Sequence, residues 1–434
     1  MSMDIDIALI NGYHEFALSA QFYFELKNKG KNALVLTPNP YEFKKLKKQG
    51  VSVIYINNFF PLKTPKTKEI EAFFKKENIE LNQFIETEKA YYNDDENNIK
   101  RYAYNYLIAF KTIFKKYTIK YIFQMQGGEV VRRAAFLAAK TAKMKSIYSG
   151  ESFLKGFSTL YSDEQKTIIV PKNYKELSEE KAKQIISEKI SKKKVIKYST
   201  KATNYQKGNI LAKFSTLIFH RNYNIIRAYL YHIYKRKLRH VFLEFTTSNY
   251  FKSFEPNNDF FYFPFNVAAE SELFIRNRAF SDQIKTVKQI AKHLPKDYFL
   301  YVKTHPGDEG HLTLNNYKEI DKIKNVRLLN ADVNTFDVVD SAKAVIIVSS
   351  TVGLESYIKD KPTLVLGNWP YKSMGNYIIN SSYKSISEDI STHTGNNPTV
   401  LLQNIQKNVH KGHLFGTEDE FSELMNTMSV LIDE

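Results

Sequence analysis

Short apolar runs alternate with segments of helical spacing over about the first 160 residues and again after Phe260. The first block predicts strands at DIALING, NALVLT, YIFQMQ and SIYSGE, with helices up to about Lys29 and at EVVRRAAFLAAKTAK. The second block predicts strands at FFYFPFNV, YFLYVKTHP, NVRLLN, AVIIVSS and PTLVLG, separated by helices such as SDQIKTVKQIAKHL and TVGLESYI. Strict alternation favours parallel sheets with crossover helices. We therefore predict an α/β protein with two Rossmann-like, doubly wound domains that face a central cleft, the ligand lying at the carboxyl ends of the strands.

The same pattern predicts the domain boundaries. Residues 1–245 form an N-terminal domain, residues 246–400 form a second domain, and residues 401–434 form helices that pack back across the domains. The first domain includes a basic helical segment over residues 189–240, where apolar positions recur at helical spacing.

Composition narrows the class of protein. A chain of 434 residues with 43% hydrophobic and 25% charged positions is typical of a globular protein of two or three domains. Cysteine is absent, which excludes disulfides, thiolate metal sites and thiol nucleophiles. No apolar run approaches the ~20 residues of a membrane-spanning helix, and the N-terminus MSMDIDIALING carries acidic residues where a signal peptide would carry basic ones. We expect a cytoplasmic protein.

Positive charge is concentrated in the segment from Lys189 to His240. This segment holds fourteen Lys or Arg and no Asp or Glu, so it carries +14 of the formal net charge of +17. Three interpretations remain open: a solvated face of an ordinary helix, a docking site for a membrane surface or an anionic glycan, and a nucleic-acid groove with stacking aromatic residues. We expect peripheral contact with the inner face of the cytoplasmic membrane, and we do not expect nucleic acid as the partner.

Two strand ends in the second block carry side chains suited to an anion. The run AVIIVSSTVGLES leads a buried strand into Ser349, Ser350 and Thr351 and then into a helix, where hydroxyl and backbone N–H groups bind phosphate or merely cap the helix. The run YVKTHP places Lys303 and His305 two residues apart at another strand end, so both side chains share one face. These turns and the helix after Thr351 supply the candidate ligand-binding residues of the second block, namely Lys303, His305, Ser349, Ser350, Thr351, Gly353 and Glu355.

The first block offers further candidates near the predicted cleft. The junction QMQGGEVVRR places Gln126 and Glu129 near the predicted cleft and Arg132 on the following helix, and His14 follows the first strand. Glu151 follows a buried strand, and Asp163 lies twelve residues later. Two carboxylates opposite a phosphate site suit sugar chemistry, with one acting as base or nucleophile and the other orienting the substrate.

Other cofactor sites are not supported. No P-loop and no G-x-G-x-x-G sequence occurs, which excludes ATP hydrolysis and NAD chemistry of those types. We predict no bound metal and no cofactor.

The second block resembles the capsule polysaccharide biosynthesis family, which includes the bacterial Kdo transferases. The resemblance rests on the K-x-H-P sequence at residues 303–306, on SSTVGLE at residues 349–355 and on the following KPTLVLG. It covers about residues 260–370 and, loosely, about residues 120–165. Asn266 stands where family members often have glutamine.

This resemblance implies a GT-B glycosyltransferase with an N-terminal acceptor domain and a C-terminal nucleotide-sugar domain. The implied donor is CMP-activated Kdo or a related nonulosonic acid, transferred with retention to a surface glycan or glycolipid such as lipopolysaccharide. By the same resemblance His305 and residues 349–351 hold the CMP phosphate, Lys303 lies beside them, and Glu355 lies near the ribose. Glu151, Asp163 and His305 are the catalytic candidates.

Two alternatives remain open at this stage. One is a GT-B enzyme that uses a UDP- or GDP-sugar, because the SSTVGLE turn does not distinguish nucleotides. The other is a non-enzymatic protein that binds RNA or another polyanion through residues 189–240, with an affinity that falls steeply as salt is added.

Overall fold

The structure is a computed structural model. It describes residues 4–13, 16–92, 95–191, 235, 238–243, 245–268, 270–305, 312–375, 378–391 and 395–433. The described residues divide into two compact units. The first unit runs to Tyr174 and resumes at Asn408, whereas the second begins at Lys175 and ends at Lys407.

The first unit is built on a seven-stranded sheet. Its strands are β1 (Asp4–Ile10), β2 (Ala33–Thr37), β3 (Val53–Tyr55), β4 (Thr118–Met125), β5 (Lys145–Glu151), β6 (Phe157–Tyr161) and β13 (His410–Lys411). Their order is β13-β6-β5-β4-β1-β2-β3, and only β6 and β13 are antiparallel to their neighbours. Its helices are α1 (Phe16–Asn28), α2 (Pro40–Lys48), α3 (Thr67–Lys76), α4 (Leu81–Tyr92), α5 (Glu96–Lys116), α6 (Val130–Thr141) and α14 (Glu418–Asp433), with a 3-10 turn at Ile56–Phe59.

Alternation along the strands gives this sheet two apolar faces. Leu9 on β1 and Phe123 on β4 contribute to a core that α1 and α14 cover with Phe22 and Leu424. Phe22 stacks on Phe123 with ring centroids 5.0 Å apart. Burial of apolar surface contributes roughly 25 cal/mol per Å², and it is the main source of stability for such a sheet.

The second unit is built on a six-stranded, entirely parallel sheet. Its strands are β7 (Phe260–Pro264), β8 (Phe299–Lys303), β9 (Val326–Leu329), β10 (Ala344–Ile347), β11 (Thr363–Val365) and β12 (Ile378–Asn380), in the order β12-β11-β10-β7-β8-β9. Its helices are α7 (Glu179–Ser191), α8 (Gln283–His293), α9 (Leu314–Asp321), α10 (Thr335–Ser341), α11 (Val352–Ile358), α12 (Ile386–Ser391) and α13 (Pro398–Lys407). Shorter turns lie at Ser248–Tyr250, at Glu272–Arg276, which is a π-helix, and at Arg278–Phe280.

Each sheet has a point at which the strand order reverses. In the first unit the chain runs outward from β1 through β2 to β3 and then returns to place β4 on the other side of β1. In the second unit it runs outward from β7 through β8 to β9 and then returns to place β10 beside β7. In open α/β sheets ligands bind outside the carboxyl ends of the strands at such a switch point. The two places to search are therefore the β1/β4 and β7/β10 strand ends.

The predicted fold class is confirmed: the protein is α/β, with two parallel-sheet units. The structure adds strands that the sequence analysis did not predict, of which β6 matters most because it reverses direction. The predicted boundary at residue 245 differs from the observed grouping, since α7 belongs to the second unit and α14 to the first. Most of the basic segment over residues 189–240 lies outside the described residues. No helix in the described ranges is long and apolar enough to cross a membrane.

Gly412 holds α14 against the first sheet and gives a direct test of this packing. Its φ is +96°, and an added Cβ would lie 2.5 Å from the carbonyl oxygen of Glu420 and 2.6 Å from Cα of Leu424. We expect Gly412→Ala to lower the free energy of unfolding by about 2–4 kcal/mol, because backbone strain and overpacking add. Gly50→Ala is the matched control, since Gly50 has a φ of +77° but nothing within 4 Å of the added atom. Equal losses for the two variants in urea denaturation would contradict this close packing.

Candidate functional site

Three neighbouring strand ends meet at the switch point of the second sheet. β8 ends at Lys303, β7 leads into Asn266, and β10 leads into Ser349. The backbone N–H of Phe265 donates to the carbonyl of Lys303 at 3.0 Å, which ties the end of β7 to that of β8. Nδ2 of Asn266 donates to Oγ of Ser349 at 3.4 Å, which joins the β7 and β10 ends directly.

His305 and Ser349 follow the two strands that flank β7. Adjacent strands lie about 4.8 Å apart, so β8 and β10, on either side of β7, are separated by about 10 Å. An imidazole from one side and a hydroxyl from the other span most of that distance. A phosphate above the end of β7 is therefore the size of group that both side chains could contact.

Lys303 is a buried cation at this edge. Its residue is 6% exposed, and its Nζ donates to Oγ1 of Thr335, the first residue of α10, at 2.8 Å. Burial lowers the pKa of Lys303, and the carboxylates of Glu355 and Asp332 oppose that shift without cancelling it. The ammonium group is therefore positioned by Thr335 and remains incompletely compensated.

His305 lies next to this ammonium group. Burial lowers the pKa of His305, and the charge of Lys303 lowers it further. A bound anion would act in the opposite direction and favour the imidazolium form. The imidazole of His305 is thus suited to donate a hydrogen bond to a phosphate, or to bind it as a cation.

Glu355 lies on α11, one turn after the serine-rich loop. Burial raises the pKa of Glu355 to about 7, although the ammonium groups of Lys189, Lys303 and Lys359 pull it down. Its charge therefore changes near neutral pH, which is unusual for a carboxyl group. Burial also raises the pKa of the neighbouring Tyr262 phenol, with Glu355 adding to the effect.

The serine-rich loop has separate structural and exposed parts. Oγ of Ser350 accepts from the backbone N–H of Val352 at 3.3 Å, so this hydroxyl caps the turn. Thr351 is exposed and its side chain makes no cap hydrogen bond. Gly353 is buried, and an added Cβ would clash with Ile347 and lie 3.0 Å from the ring of Trp369. This close packing explains why position 353 requires glycine, and no contact with a ligand is needed to explain it.

Asn266 supplies an unsatisfied acceptor at the switch point. Its backbone N–H donates to Oε1 of Gln283 at 2.8 Å, and Nε2 of Gln283 donates back to the Asn266 carbonyl at 2.9 Å. Oδ1 of Asn266 is buried and has no hydrogen-bond partner among the residues that the structure describes. A buried acceptor without a donor costs about 1–3 kcal/mol, so a ligand donor there would restore that energy.

The switch point of the first unit carries Arg132 and Glu129. Arg132 is 4% exposed, its Nη1 donates to the Met125 carbonyl at 2.8 Å, and its Nε lies 3.0 Å from Oε2 of Glu129. An added Cβ on Gly12 would lie 3.1 Å from Nε of Arg132, so the guanidinium group crosses from β4 to the end of β1. The structure brings these two predicted acceptor-side residues together.

Gln126 and Glu151 lie at the same edge, one strand further along. Nε2 of Gln126 is buried, has no hydrogen-bond partner in the described part of the chain, and lies 3.5 Å from the position of a Cβ on Gly150. Glu151 is the last residue of β5 and is exposed. His14, the remaining acceptor-side candidate, lies outside the described residues.

The structure separates the two predicted carboxylates of the first unit, Glu151 and Asp163. β6 runs antiparallel to β5, with Glu151 opposite Ser158 and Tyr148 opposite Tyr161. β6 ends at Tyr161, which pairs with Ile168, so Asp163 lies in the turn between them, at the end of β6 remote from Glu151. Oδ1 of Asp163 instead accepts from the backbone N–H groups of Gln165 and Thr167 at 2.9 and 3.0 Å. This carboxylate stabilises a turn at the opposite edge of the sheet.

Three residues of the second-unit site were not among the sequence candidates. Asn266, Thr335 and Tyr262 all contact or influence the predicted donor-binding residues. Thr335 begins a helix after a strand, which is the same signal that identified Ser349. Tyr262 lies inside a continuous apolar strand and gave no comparable signal.

A model of a known protein family matches more than half of the chain. The family described as "Capsule polysaccharide biosynthesis protein" matches residues 128–378, which are 251 of the 434 residues. The match includes the strand ends that carry Lys303, Asn266 and Ser349. Comparison with curated protein sequences finds no match.

Similar solved structures share little sequence with this chain. The UDP-GlcNAc 2-epimerase from Methanocaldococcus jannaschii is 11% identical, with 99% of this chain and 100% of that chain covered and a TM-score of 0.28. KpsC from Thermosulfurimonas dismutans, a beta Kdo 2,7 transferase, is 11% identical over 74% of this chain and 89% of that chain, with a TM-score of 0.34. A glycosyltransferase from Rickettsia africae is 9% identical over 99% of both chains, with a TM-score of 0.33. Superpositions at these TM-scores do not establish a shared fold.

Stability should depend on pH through Glu355. Its pKa is raised from 4.5 to about 7 in the folded protein, so the folded state binds the proton more tightly than the unfolded state does. The free energy of unfolding therefore falls as pH rises from 4.5 towards 7, and the loss persists above that range. We expect Glu355→Gln to stabilise the protein by about 1–3 kcal/mol at pH 8 and by less at pH 5.

Thermal denaturation at the two pH values measures this effect. Glu388→Gln, a change at an exposed carboxyl group of the same unit, is the control and should leave Tm unchanged at both pH values. A larger loss of stability for Glu355→Gln at pH 8 than at pH 5 would instead identify Glu355 as a stabilising ion-pair partner.

Proposed function

The chain belongs to the capsule polysaccharide biosynthesis protein family, and from this premise we propose that it is a glycosyltransferase. Its donor is an ulosonic acid sugar, Kdo or a related nonulosonic acid, activated by CMP, and its acceptor is a surface glycan or glycolipid. One observation carries the proposal: Lys303, His305, Asn266 and Ser349 lie at three adjacent strand ends around the switch point of a parallel sheet.

The proposed role of these residues is to bind the donor phosphate. The phosphodiester of a CMP-sugar carries one negative charge, which the ammonium group of Lys303 and the imidazole of His305 complement. Hydroxyl groups of Ser349 and Thr351 supply further donors. Each hydrogen bond to a charged group contributes about 1.5–3 kcal/mol, so three or four such bonds account for micromolar affinity.

The same groups would support departure of CMP. Cleavage of the glycosidic bond leaves the electron pair on the phosphate oxygen, so negative charge grows at the position that Lys303 and His305 face. Fixed positive groups stabilise a developing charge without having to reorganise. The free monoester has a second pKa near 6, which makes it a good leaving group, and the proposal includes no metal.

Glu151 is the carboxylate that we propose for the acceptor step. It lies at the carboxyl edge of the first sheet, whereas Asp163 lies at the other edge and holds a turn. Glu151 would either take the proton from the acceptor hydroxyl, which gives inversion, or form a glycosyl ester as CMP leaves, which gives retention after the acceptor displaces it. Retention is the outcome that the family resemblance favours.

Contact with the membrane surface is part of the same proposal. A glycolipid acceptor lies at the cytoplasmic face of the membrane, and the segment from Lys189 to His240 carries fourteen positive charges. Each Lys or Arg near an anionic bilayer contributes about 1 kcal/mol, so half of them would support reversible binding.

Nucleotide selectivity tests the proposed donor. We expect CMP to raise Tm by several degrees and UDP, GDP and RNA to raise it less, in a thermal-shift series at fixed salt. His305→Gln and Ser349→Ala should each weaken CMP binding about tenfold, because each removes one hydrogen bond to the phosphate. Ser387→Ala, at an exposed serine of the same unit, is the control. Stronger stabilisation by UDP or GDP would indicate another sugar nucleotide, and salt-sensitive stabilisation by RNA alone would contradict the enzyme.

Turnover tests the assignment of Glu151. We expect Glu151→Gln to reduce transfer at least 100-fold, because it removes the base or nucleophile. CMP affinity should be unchanged, because no residue of the second unit is altered. Asp163→Asn should keep turnover within a few-fold of wild type, with a lower Tm because it weakens a turn. Intact mass after incubation with donor would show a sugar adduct on the wild type if transfer is retaining. Full activity of Glu151→Gln would refute the assignment.

A further inference from the structure

A short helical segment of the second unit exposes apolar side chains. Residues 238–243 and 245–246 are helical, and the backbone N–H of Thr247 donates to the carbonyl of Leu243 at 2.9 Å, which closes the last turn. Four large apolar side chains on this segment are in contact with solvent, and we call them the apolar stripe: Leu238 is 73% exposed, Val241 49%, Phe242 57% and Phe245 81%.

Helical spacing puts the apolar stripe on one face of the segment. Its members stand at positions i, i+3, i+4 and i+7, which fall within an arc of about 100° because each residue of a helix turns by about 100°. Leu243 and Thr247 lie on the opposite face and are buried, and Leu243 packs into the apolar core of the second unit. The segment is therefore anchored by one face and turns a second apolar face outwards.

The residues that follow the stripe fix it to the β9 edge of the sheet. The backbone N–H of Lys252 donates to the carbonyl of Leu328 on β9 at 2.8 Å, and the Lys252 ammonium group lies 3.0 Å from Oδ1 of Asp321 at the end of α9. The ring of Phe251 packs edge-on against that of Tyr317, also on α9, with centroids 5.8 Å apart. A surface bound by the stripe would therefore also orient this sheet.

This clustering of exposed apolar residues is not expected of an ordinary protein surface. Single exposed apolar residues are common in folded proteins, whereas a contiguous patch marks an interaction surface. Among the residues that the structure describes, twelve large apolar ones are exposed, and four of them fall within these eight positions. The apolar stripe is thus the kind of surface that binds a partner.

Positive charge adjoins the apolar stripe along the chain. The sequence KRKLRH at residues 235–240 supplies four Lys or Arg, and it ends the segment from Lys189 to His240 that carries fourteen of them. Between residues 235 and 246 the only acidic residue is Glu244. A helix with Lys and Arg beside an apolar face of Leu, Val and Phe is typical of segments that lie in the interface of an anionic bilayer.

An anionic bilayer complements both parts of this surface. Its lipid phosphates complement the cations, and its acyl chains complement the apolar stripe. A second copy of this chain would instead bring a second segment of the same positive charge to the contact, and like charges oppose such an association. A protein partner would need a groove shaped for the stripe, whereas a fluid bilayer adapts to it.

We propose that the apolar stripe inserts into the interface of an anionic bilayer while the neighbouring Lys and Arg residues bind lipid phosphates. This inference rests on the proposed function, which places a glycolipid acceptor at that surface, and it adds a hydrophobic component to the electrostatic contact. The two components respond differently to salt, because salt screens the charges and does not weaken the burial of apolar surface.

Vesicle binding tests the two components separately. The probes are vesicles of phosphatidylcholine alone and of phosphatidylcholine mixed with the anionic lipid phosphatidylglycerol. We expect the wild type to bind the anionic vesicles at least tenfold more tightly than the neutral ones at low salt. The double variant Phe242→Ser/Phe245→Ser should weaken binding to anionic vesicles at least tenfold at low and at high salt, because it removes apolar area from the contact. Leu62→Ser, at a fully exposed apolar residue of the first unit, is the control and should change neither affinity.

A tryptophan reporter shows whether the stripe enters the bilayer. Phe245→Trp adds one tryptophan to a chain whose single natural one, Trp369, is buried and gives a constant background. We expect the added indole to emit as an exposed group in buffer. On anionic vesicles its emission should shift to shorter wavelength and be quenched by lipids brominated on their acyl chains. Leu62→Trp is the control and should show neither change.

Three outcomes would overturn the proposal. Wild-type binding by the Phe242→Ser/Phe245→Ser variant would make the contact purely electrostatic, and absence of vesicle binding by the wild type would leave a protein as the partner of the stripe. Emission of Phe245→Trp at short wavelength without vesicles would show that the stripe is already covered by the chain itself or, if the shift depends on protein concentration, by a second copy.

The thermal shift caused by CMP separates this proposal from the proposed function. The Phe242→Ser/Phe245→Ser variant should keep the full shift, so failure of the membrane contact would leave the CMP result intact. Absence of a CMP shift in the wild type would refute the proposed donor, whatever the vesicles show.

Discussion

Desolvation of charge at the carboxyl edge of the second sheet is the constraint on which the candidate site depends. Lys303 is buried beside Thr335. The carboxylate of Glu355 acts to raise the pKa of Lys303, and the charge of Lys303 lowers the pKa of His305. Burial shifts the pKa of each of these three groups towards its neutral form. The attraction between Glu355 and Lys303 therefore does not repay the cost of removing them from water, and the charge of Lys303 repels a proton on His305. An anion bound between them would supply the missing compensation, which is why the arrangement favours a binding site over a purely structural ion pair.

Parallel-sheet topology explains where that cost arises. All strands of the second sheet end at one edge, and the return of the chain from β9 to β10 leaves no crossover helix between the β7 and β10 ends. Polar side chains from separate parts of the sequence, Asn266 and Ser349, meet there. In the first unit the strand order also reverses, at β1 and β4, where Arg132 and Glu129 lie. The buried cation there is already paired with a carboxylate. The same topology thus yields two edges of different chemistry, with only the second left in need of an anion.

The sequence predicted much of this organisation because its signals were local. Alternating apolar runs located most strands, and the polar residues directly after them, Lys303, His305 and Ser349, lie at the edge where they were expected. The sequence analysis predicted no strand over β6, so it missed the reversal of the chain between Glu151 and Asp163. A two-residue period is in any case identical for parallel and antiparallel strands, so it would not have given the direction of β6. Tyr262 was missed because its importance comes from a residue distant in sequence, Glu355, which no local pattern records. Thr335 carried the same strand-to-helix signal as Ser349 but was not among the candidates.

The strand ends of the second unit present their polar groups in a fixed order. From β10 through β7 to β8, the edge presents the hydroxyl groups of Ser349 and Thr351, the amide of Asn266, and then Lys303 with His305. Two strand intervals of about 4.8 Å make this row about 10 Å long. An anion over the end of β7 would therefore have hydroxyl donors on one side and cations on the other, which is the asymmetry that the reversal of strand order creates.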